Sequence, residues 1–404
     1  MLGVTIAAAM ALAIVGAAVF IAVQLLQPTP ALTFTAAVPP LRALPGAPPR
    51  PAWPGRAEAV VGTPGTGILA THGGTRSSPI ASLAKIMTAY VVLRDHPLAP
   101  GQAGPRLAVT SADVAAYRQD AKQGQSVVKV AAGEHLTERE ALAALLVPSG
   151  NNIADLLAAW DAGSRSAFVA KMNDQGRSLG LRGTRYTDPS GVAPATVSTA
   201  ADQYRLAVRA LRLPVFRQIV ALPQIQLPVA GLVYNVNSGL GHLRIDGIKT
   251  GSTPEAGGCL VFSAERTIAG RPTPVVGVVL GVRATGAQPS ELAGVITASE
   301  RLLRSVGGDL ERVHVVRPGA VLGRVRTAWG AATTAVAATG VTVTGWPGMP
   351  VRVTVTALPL HPGIRPGQHI ARATVTVGRS ASHTWLNASR PIPAPSLGWR
   401  LTRV

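Results

Sequence analysis

The chain contains one cysteine in 404 residues, so no intramolecular disulfide can form and the fold must rest on its core. Cys259 lies in the apolar run Cys259-Leu260-Val261-Phe262 and reads as a small buried hydrophobe. The eight histidines show no pairing at metal-ligand spacing, and neither a metal nor any other cofactor is expected. Two of them, His361 and His369, fall in a Pro-Gly-rich stretch and read as surface residues. Acidic residues are scarce, 19 against 38 basic ones, which leaves a net charge of +19. Lysine is scarcer still, at five against 33 arginines. Zinc-finger spacing, RNP-like aromatic strings and basic-aromatic clusters are all missing, which argues against a nucleic-acid partner. Part of the arginine excess follows from a general bias toward Arg, Ala, Gly, Pro and Val. The functional reading of the charge is attraction to an anionic surface such as cell-wall polymer or lipid headgroups.

The first 41 residues carry no Asp, Glu, Lys or Arg, and Val4 to Val23 are nearly all apolar. Twenty such residues reach across a bilayer as a helix. A cleaved signal is the rival for residues 1–27, but its apolar core is usually shorter and follows positive charge. Arg42, Arg50 and Arg56 come after the helix and argue for a cytoplasmic C-terminal side, although large domains are translocated despite such charges. The expectation is a cell-membrane anchor with the remainder on the outer, cell-wall side. Residues 28–56 follow with nine prolines and read as an extended, semi-rigid linker. From 57 to 308 helix-like and strand-like patterns alternate. Thr137 and Glu140 form a capping box before a helix to about Val147, and Ile245–Thr250, Gly258–Glu265 and Val275–Arg283 read as strands. Helices in the middle and adjacent strands at the end predict an α/β (α+β) domain with an antiparallel sheet. Residues 309–404 alternate with period two between Pro-Gly turns and predict a small all-β domain.

Three strings carry chemistry. Ser82-Leu83-Ala84-Lys85 sets a hydroxyl and an amine one helical turn apart, on one face. Lysine can serve as base to a serine only if burial or a nearby cation lowers its pKa. A decoy, Ser126-Val127-Val128-Lys129, has the same spacing but lies in a strand-like stretch, where residues three apart face opposite ways. Ser149-Gly150-Asn151 follows Pro148, so Ser149 and Asn151 are expected to project from a loop, for proton relay and orientation. Lys249-Thr250-Gly251 ends a β-like run. An edge strand there could pair with an extended substrate, with Lys249, Thr250 and Thr253 receiving an anionic group. Asn387-Ala388-Ser389 matches a glycosylation sequon and reads as a chance match.

In this order the strings resemble those of the low-molecular-weight penicillin-binding proteins, the serine-type D-alanyl-D-alanine carboxypeptidases. The surrounding segments PIASLAKIMTAYVV, ALAALLVPSGNNIA, DGIKTGSTPEAGGCLVFSA, FVAKMNDQGRSLGL and TDPSGV carry the likeness over about 57–308. The resemblance implies a serine β-lactamase/transpeptidase-like fold and peptidoglycan stem peptides ending in D-Ala-D-Ala as substrate. It also implies penicillin and other β-lactams as inhibitors. Ser82 would be acylated, Lys85 would be the general base, and Ser149 and Asn151 would relay and position. Lys249, Thr250 and Thr253 would bind the carboxylate region, Gly251 would complete the third string, and backbone N–H groups of Ser82 and Ser252 would form the oxyanion hole. Arg283 would help hold the terminal carboxylate. There are departures from the family pattern. Ala84 replaces the threonine common in the first string. Some relatives attach by a C-terminal amphipathic helix, a pattern that residues 390–404 lack.

A class A β-lactamase shares the three strings but needs a glutamate between the second and third to activate water. After Glu140 the next glutamate is Glu255, beyond Lys249, so rapid penicillin hydrolysis is not expected. A D,D-endopeptidase remains the near alternative. A catalytically silent wall-binding relative is disfavoured, because every reactive position is intact. Stem-peptide preference, cleavage of the anchor, oligomeric state and the role of the β domain are left open.

Overall fold

The computed structural model describes residues 2–38, 42–268, 270–286, 290–306, 310–378 and 380–403. Its uncharged N-terminus forms one helix, Leu2–Leu26, of which Ala9–Leu26 is long and apolar enough to cross a membrane. The stretch expected to be an extended, semi-rigid linker is partly built into a sheet. Thr33–Ala36 forms β1, because its alternating Thr and Phe side chains suit a half-covered strand position. The chain divides into two units: Gly46–Glu311 with Trp346–Gly348, and Met1–Pro45 with Arg312–Gly345 and Met349–Val404.

The first of these units is built on an antiparallel five-stranded sheet. Its strands are β2 (Glu58–Thr63), β3 (Gly67–His72), β4 (Ile245–Thr253), β5 (Gly257–Ile268) and β6 (Arg271–Val282), in the order β4-β5-β6-β2-β3. The last three strands in sequence thus form a meander with β4 at the edge, as expected. The inner strands are apolar on both faces, with Leu260, Val261, Phe262, Val276, Val278 and Val279 wholly buried. Helices Glu291–Val306 and Ala200–Ala210 pack on this sheet. Beside it, helix Ala84–Asp95 is apolar nearly all round, and Ile86, Met87, Ala89 and Val92 have no exposed surface. Such a helix belongs at a domain centre, not on its rim. Pro97, just past its C-cap His96, ends it.

The capping box is present: Thr137 Oγ1 accepts from the Glu140 N–H and Glu140 accepts from the Thr137 N–H. It starts helix Glu138–Leu146, which stops ahead of Pro148. Two local expectations are corrected. Ser82 sits in a 3₁₀ turn, Ala81–Leu83, that leads into the helix. Asn151 is not in a loop but is the first residue of helix Asn151–Ala162, with Gly150 as its cap.

The second unit holds β1 together with β7 (Val321–Arg326), β8 (Ala332–Ala337), β9 (Val351–Ala357), β10 (His369–Val377) and β11 (Ser380–Ala388). They form one antiparallel sheet in the order β1-β7-β8-β11-β10-β9. Burial follows the period-two pattern: Val325 is covered between exposed Arg324 and Arg326, and Ala373, Val375 and Val377 are all buried. A six-residue helix not expected from the pattern, Leu397–Thr402, lies against the N-terminal helix. The Arg403 guanidinium donates to the carbonyls of Gln24, Gln27 and Pro28 at 3.0–3.1 Å. It thereby serves the end of the long helix, where carbonyls lack helical partners and a cation is favoured.

Candidate active site

Ser82 follows Ala81, whose φ of 46° is left-handed and costs a non-glycine residue about 1 kcal/mol or more. The surroundings hold the turn in that shape. The buried Asp188 carboxylate accepts from the Ser190 and Thr196 hydroxyls and from the N–H groups of Gly191 and Val192. Thr88, on helix Ala84–Asp95, donates to the Pro189 carbonyl at 2.6 Å. The tightened loop presses Gly191 (φ 83°) against the turn, so close that a Cβ would stand 1.8 Å from the Ala81 carbonyl oxygen. On another side Gly251 of β4 lies near enough that a Cβ would be 2.7 Å from the Ser82 nitrogen. Only glycine permits that approach of the edge strand to the serine.

Lys85 is completely buried, and its Nζ lies 2.7 Å from Ser82 Oγ, 3.2 Å from Ser149 Oγ and 2.6 Å from Asn151 Oδ1. Residues 64 and 66 positions away in sequence thus meet the amine at one point. Asn151 is held in turn by Gln125, whose Oε1 accepts from Asn151 Nδ2 at 2.7 Å, leaving Asn151 Oδ1 for the lysine. Sequence reasoning missed Gln125, which carries no motif. A signal lay nearby in the decoy: Ser126 O accepts from the Asn151 N–H, and Asn152 bonds both backbone groups of Val128. The decoy segment is irregular, not a strand, and serves as backbone support. Ser149 adopts φ 68°, in the sharp connection between the two helices.

Lys249 lies inside β4, 2% exposed, with Nζ donating to the Thr250 carbonyl at 3.1 Å. Thr250 and Gly251 are buried, Thr253 is half-buried and Ser252 is exposed. Thr253 Oγ1 accepts from the Ala256 N–H and shapes the β4–β5 turn. Arg283 engages that same turn, donating to the carbonyls of Pro254 and Glu255, with Glu291 3.9 Å away. In this geometry Arg283 clamps the β4–β5 turn, and its side chain stays largely exposed.

Burial pushes the Lys85 amine well below the ordinary lysine range, and the Lys249 charge pushes it further, against the pull of Asp188 and Asp155. Burial alone lowers Lys249 to about 7. The first shift keeps a neutral amine available as base; the second makes the neighbouring cation itself pH-sensitive. With Lys85 as base and Lys249 as the cation that receives an anion, acylation is predicted to rise as Lys85 loses its proton and to fall above about pH 7. Rates of acylation by a carboxylate-bearing acyl donor across pH 5–10 check this. A rate that rises only near the ordinary lysine pKa of about 10.4 would show an unshifted Lys85.

Comparisons with known proteins identify the family and the fold. The sequence model of the family described as D-alanyl-D-alanine carboxypeptidase matches residues 55–284. The D-alanyl-D-alanine endopeptidase of Pseudomonas aeruginosa is 34% identical over 209 residues, 50% of this chain and 63% of the relative. D-alanyl-D-alanine carboxypeptidase DacC of Escherichia coli is 28% identical over 250 residues, 59% of each chain. The match therefore spans about six tenths of the length of these relatives. Among solved structures, penicillin binding protein 5 from Haemophilus influenzae shares the fold, with a TM-score of 0.60 at 20% identity. That likeness covers 89% of this chain and 100% of the other.

Proposed function

The chain belongs to the D-alanyl-D-alanine carboxypeptidase family, and from that premise we propose that it removes the terminal D-alanine from peptidoglycan stem peptides through an acyl-enzyme on Ser82. The observation that carries this reading is the buried Lys85 amine, within hydrogen-bond reach of Ser82, Ser149 and Asn151 together. Neutral Lys85 takes the Ser82 proton as Oγ bonds to the penultimate D-alanine carbonyl carbon. Negative charge gathers on the carbonyl oxygen, facing the backbone N–H groups of Ser82 and Ser252. As the C–N bond breaks, the leaving amine receives the proton from Lys85 through Ser149. Water then cleaves the ester with Lys85 again as base, which frees the shortened peptide and restores Ser82. Lys249, Thr250 and Thr253 hold the terminal carboxylate, and edge strand β4 pairs with the peptide backbone. Peptidoglycan lies outside the membrane, so this function puts the catalytic unit on that side, with Leu2–Leu26 as anchor.

The test is an intact-mass time course of the full chain with benzylpenicillin. A lasting adduct on Ser82 is expected, because no glutamate lies between Glu140 and Glu255 to drive deacylation. Rapid turnover without an adduct would favour a β-lactamase, and no reaction a silent relative. The likeness to a named endopeptidase supports one second reading, cleavage of cross-linked stems. Release of free D-alanine, against conversion of cross-linked dimers to monomers, separates the two.

A further inference from the structure

Charge is divided unevenly between the two units. Every Asp and Glu of the sequence lies between Glu58 and Glu311. The unit made of Met1–Pro45, Arg312–Gly345 and Met349–Val404 has twelve arginines, no lysine and no acidic side chain. Compositional bias explains arginine in place of lysine. It does not explain the loss of every carboxylate, since the other unit of the same chain keeps nineteen.

The strand register gathers part of this charge on one face. Thr35, Arg324 and Thr334 are partners across β1, β7 and β8, and Trp385, Arg372 and Thr356 across β11, β10 and β9. Directly opposed residues share a sheet face, and this one is the outer face, with Arg324, Arg326, Arg352 and Arg372 all exposed. At its β7–β8 side a depression of about 470 Å³ is lined by Arg324, Ala332, Thr333, Thr334, Ser389 and Arg390. Thr334 and Ser389 hydroxyls meet there at 2.6 Å, and two guanidinium groups border them in a unit with no acidic side chain. Arginine forks beside hydroxyl donors are the chemistry that takes a carboxylate or phosphate. On the same face the His369 and Trp385 rings stack at 5.1 Å, 9° from parallel, and Asn387 holds His369 at 2.7 Å. Trp385 keeps 38% of its surface exposed.

We propose that this sheet face binds an anionic polysaccharide, with its acid groups in the Arg324–Arg390 depression and along the arginine rows, and a sugar ring against Trp385. The C–H face of a sugar packs on an aromatic ring, and an indole propped by a neighbour is already oriented for it. A lipid surface is the weaker occupant. The face offers hydroxyl, imidazole and guanidinium groups, and its tryptophan is stacked on His369 instead of free to enter acyl chains. The inference does not depend on the catalytic reading.

The full chain, held in nanodiscs of uncharged phosphatidylcholine, is titrated with polygalacturonate, phosphorylated dextran and plain dextran. Binding to at least one of the two acidic polymers, weakened by salt, and none to plain dextran is the expected result. Arg324→Gln with Arg390→Gln should weaken it about tenfold, equivalent to about 1.4 kcal/mol, and Trp385→Ala about threefold. Benzylpenicillin acylation should be unchanged in both variants. Arg317→Gln with Arg365→Gln removes equal charge from exposed positions outside the depression and should matter little. Equal losses in both double variants would overturn the site in favour of bulk charge. Equal binding of plain dextran, or binding only to discs containing phosphatidylglycerol, would overturn the polysaccharide.

Discussion

Replacing Lys85 by alanine is expected to leave a folded protein that benzylpenicillin acylates about a thousandfold more slowly, the usual loss when a positioned general base is removed. The size of the effect follows from the geometry. Ser82 Oγ has Lys85 Nζ at 2.7 Å, and the Ser149 hydroxyl approaches the site through the same amine. Without the amine the Ser82 hydroxyl loses the base it is hydrogen-bonded to. The fold should survive, because the Asn151 amide stays bonded to Gln125 when the buried amine is removed. Lys85→Arg should fail to rescue the rate, since a guanidinium stays protonated. Ser82→Ala should show no adduct at all. Intact-mass kinetics with circular dichroism as the folding control make the comparison. Acylation of Lys85→Ala within tenfold of the parent chain would remove Lys85 from the role of base.

The parts of this site that could be read from sequence are those whose cause is local. Ser82 and Lys85 share one turn, Thr137 and Glu140 cap one helix, and β4, β5 and β6 follow one another as a meander. The missed parts depend on where distant segments land. Gln125 matters only because Ser126 and Val128 run beside the start of the Asn151 helix. Asp188 lies in TDPSGV, noticed as family likeness, yet its four hydrogen bonds and its closeness to Lys85 come from tertiary packing. Arg283 enters the sequence reading only through the family resemblance, and its bonds to the carbonyls of Pro254 and Glu255 come from the fold of the β4–β5 turn. β1 was hidden by the prolines around it: a Pro-rich composition does favour extension, but an extended segment can also be an edge strand.

Gly191→Ala should cost the catalytic unit roughly 3 kcal/mol, well beyond what a methyl group on a surface loop does. Two effects add. The φ of 83° disfavours alanine by about 1–2 kcal/mol, and a Cβ placed 1.8 Å from the Ala81 carbonyl forces loop and turn apart. Asp188 resists the movement on one side, and Gly251 with β4 bounds the turn on the other. Gly101→Ala isolates the first effect, since Gly101 has φ 84° with nothing within 4 Å of the added methyl. By calorimetry Gly191→Ala should lower Tm by about 8 °C, and Gly101→Ala by about 4 °C. Kinetics add a sharper distinction. Ala81 directly precedes Ser82, so displacing it moves the nucleophile from Lys85, and Gly191→Ala should acylate at least tenfold more slowly at temperatures where it is fully folded. Gly101→Ala should acylate at the parent rate. If the two variants lose equal stability and both keep the parent rate, the Asp188 loop does not set the position of Ser82. Catalysis would then rest on the Lys85 cluster and β4 alone.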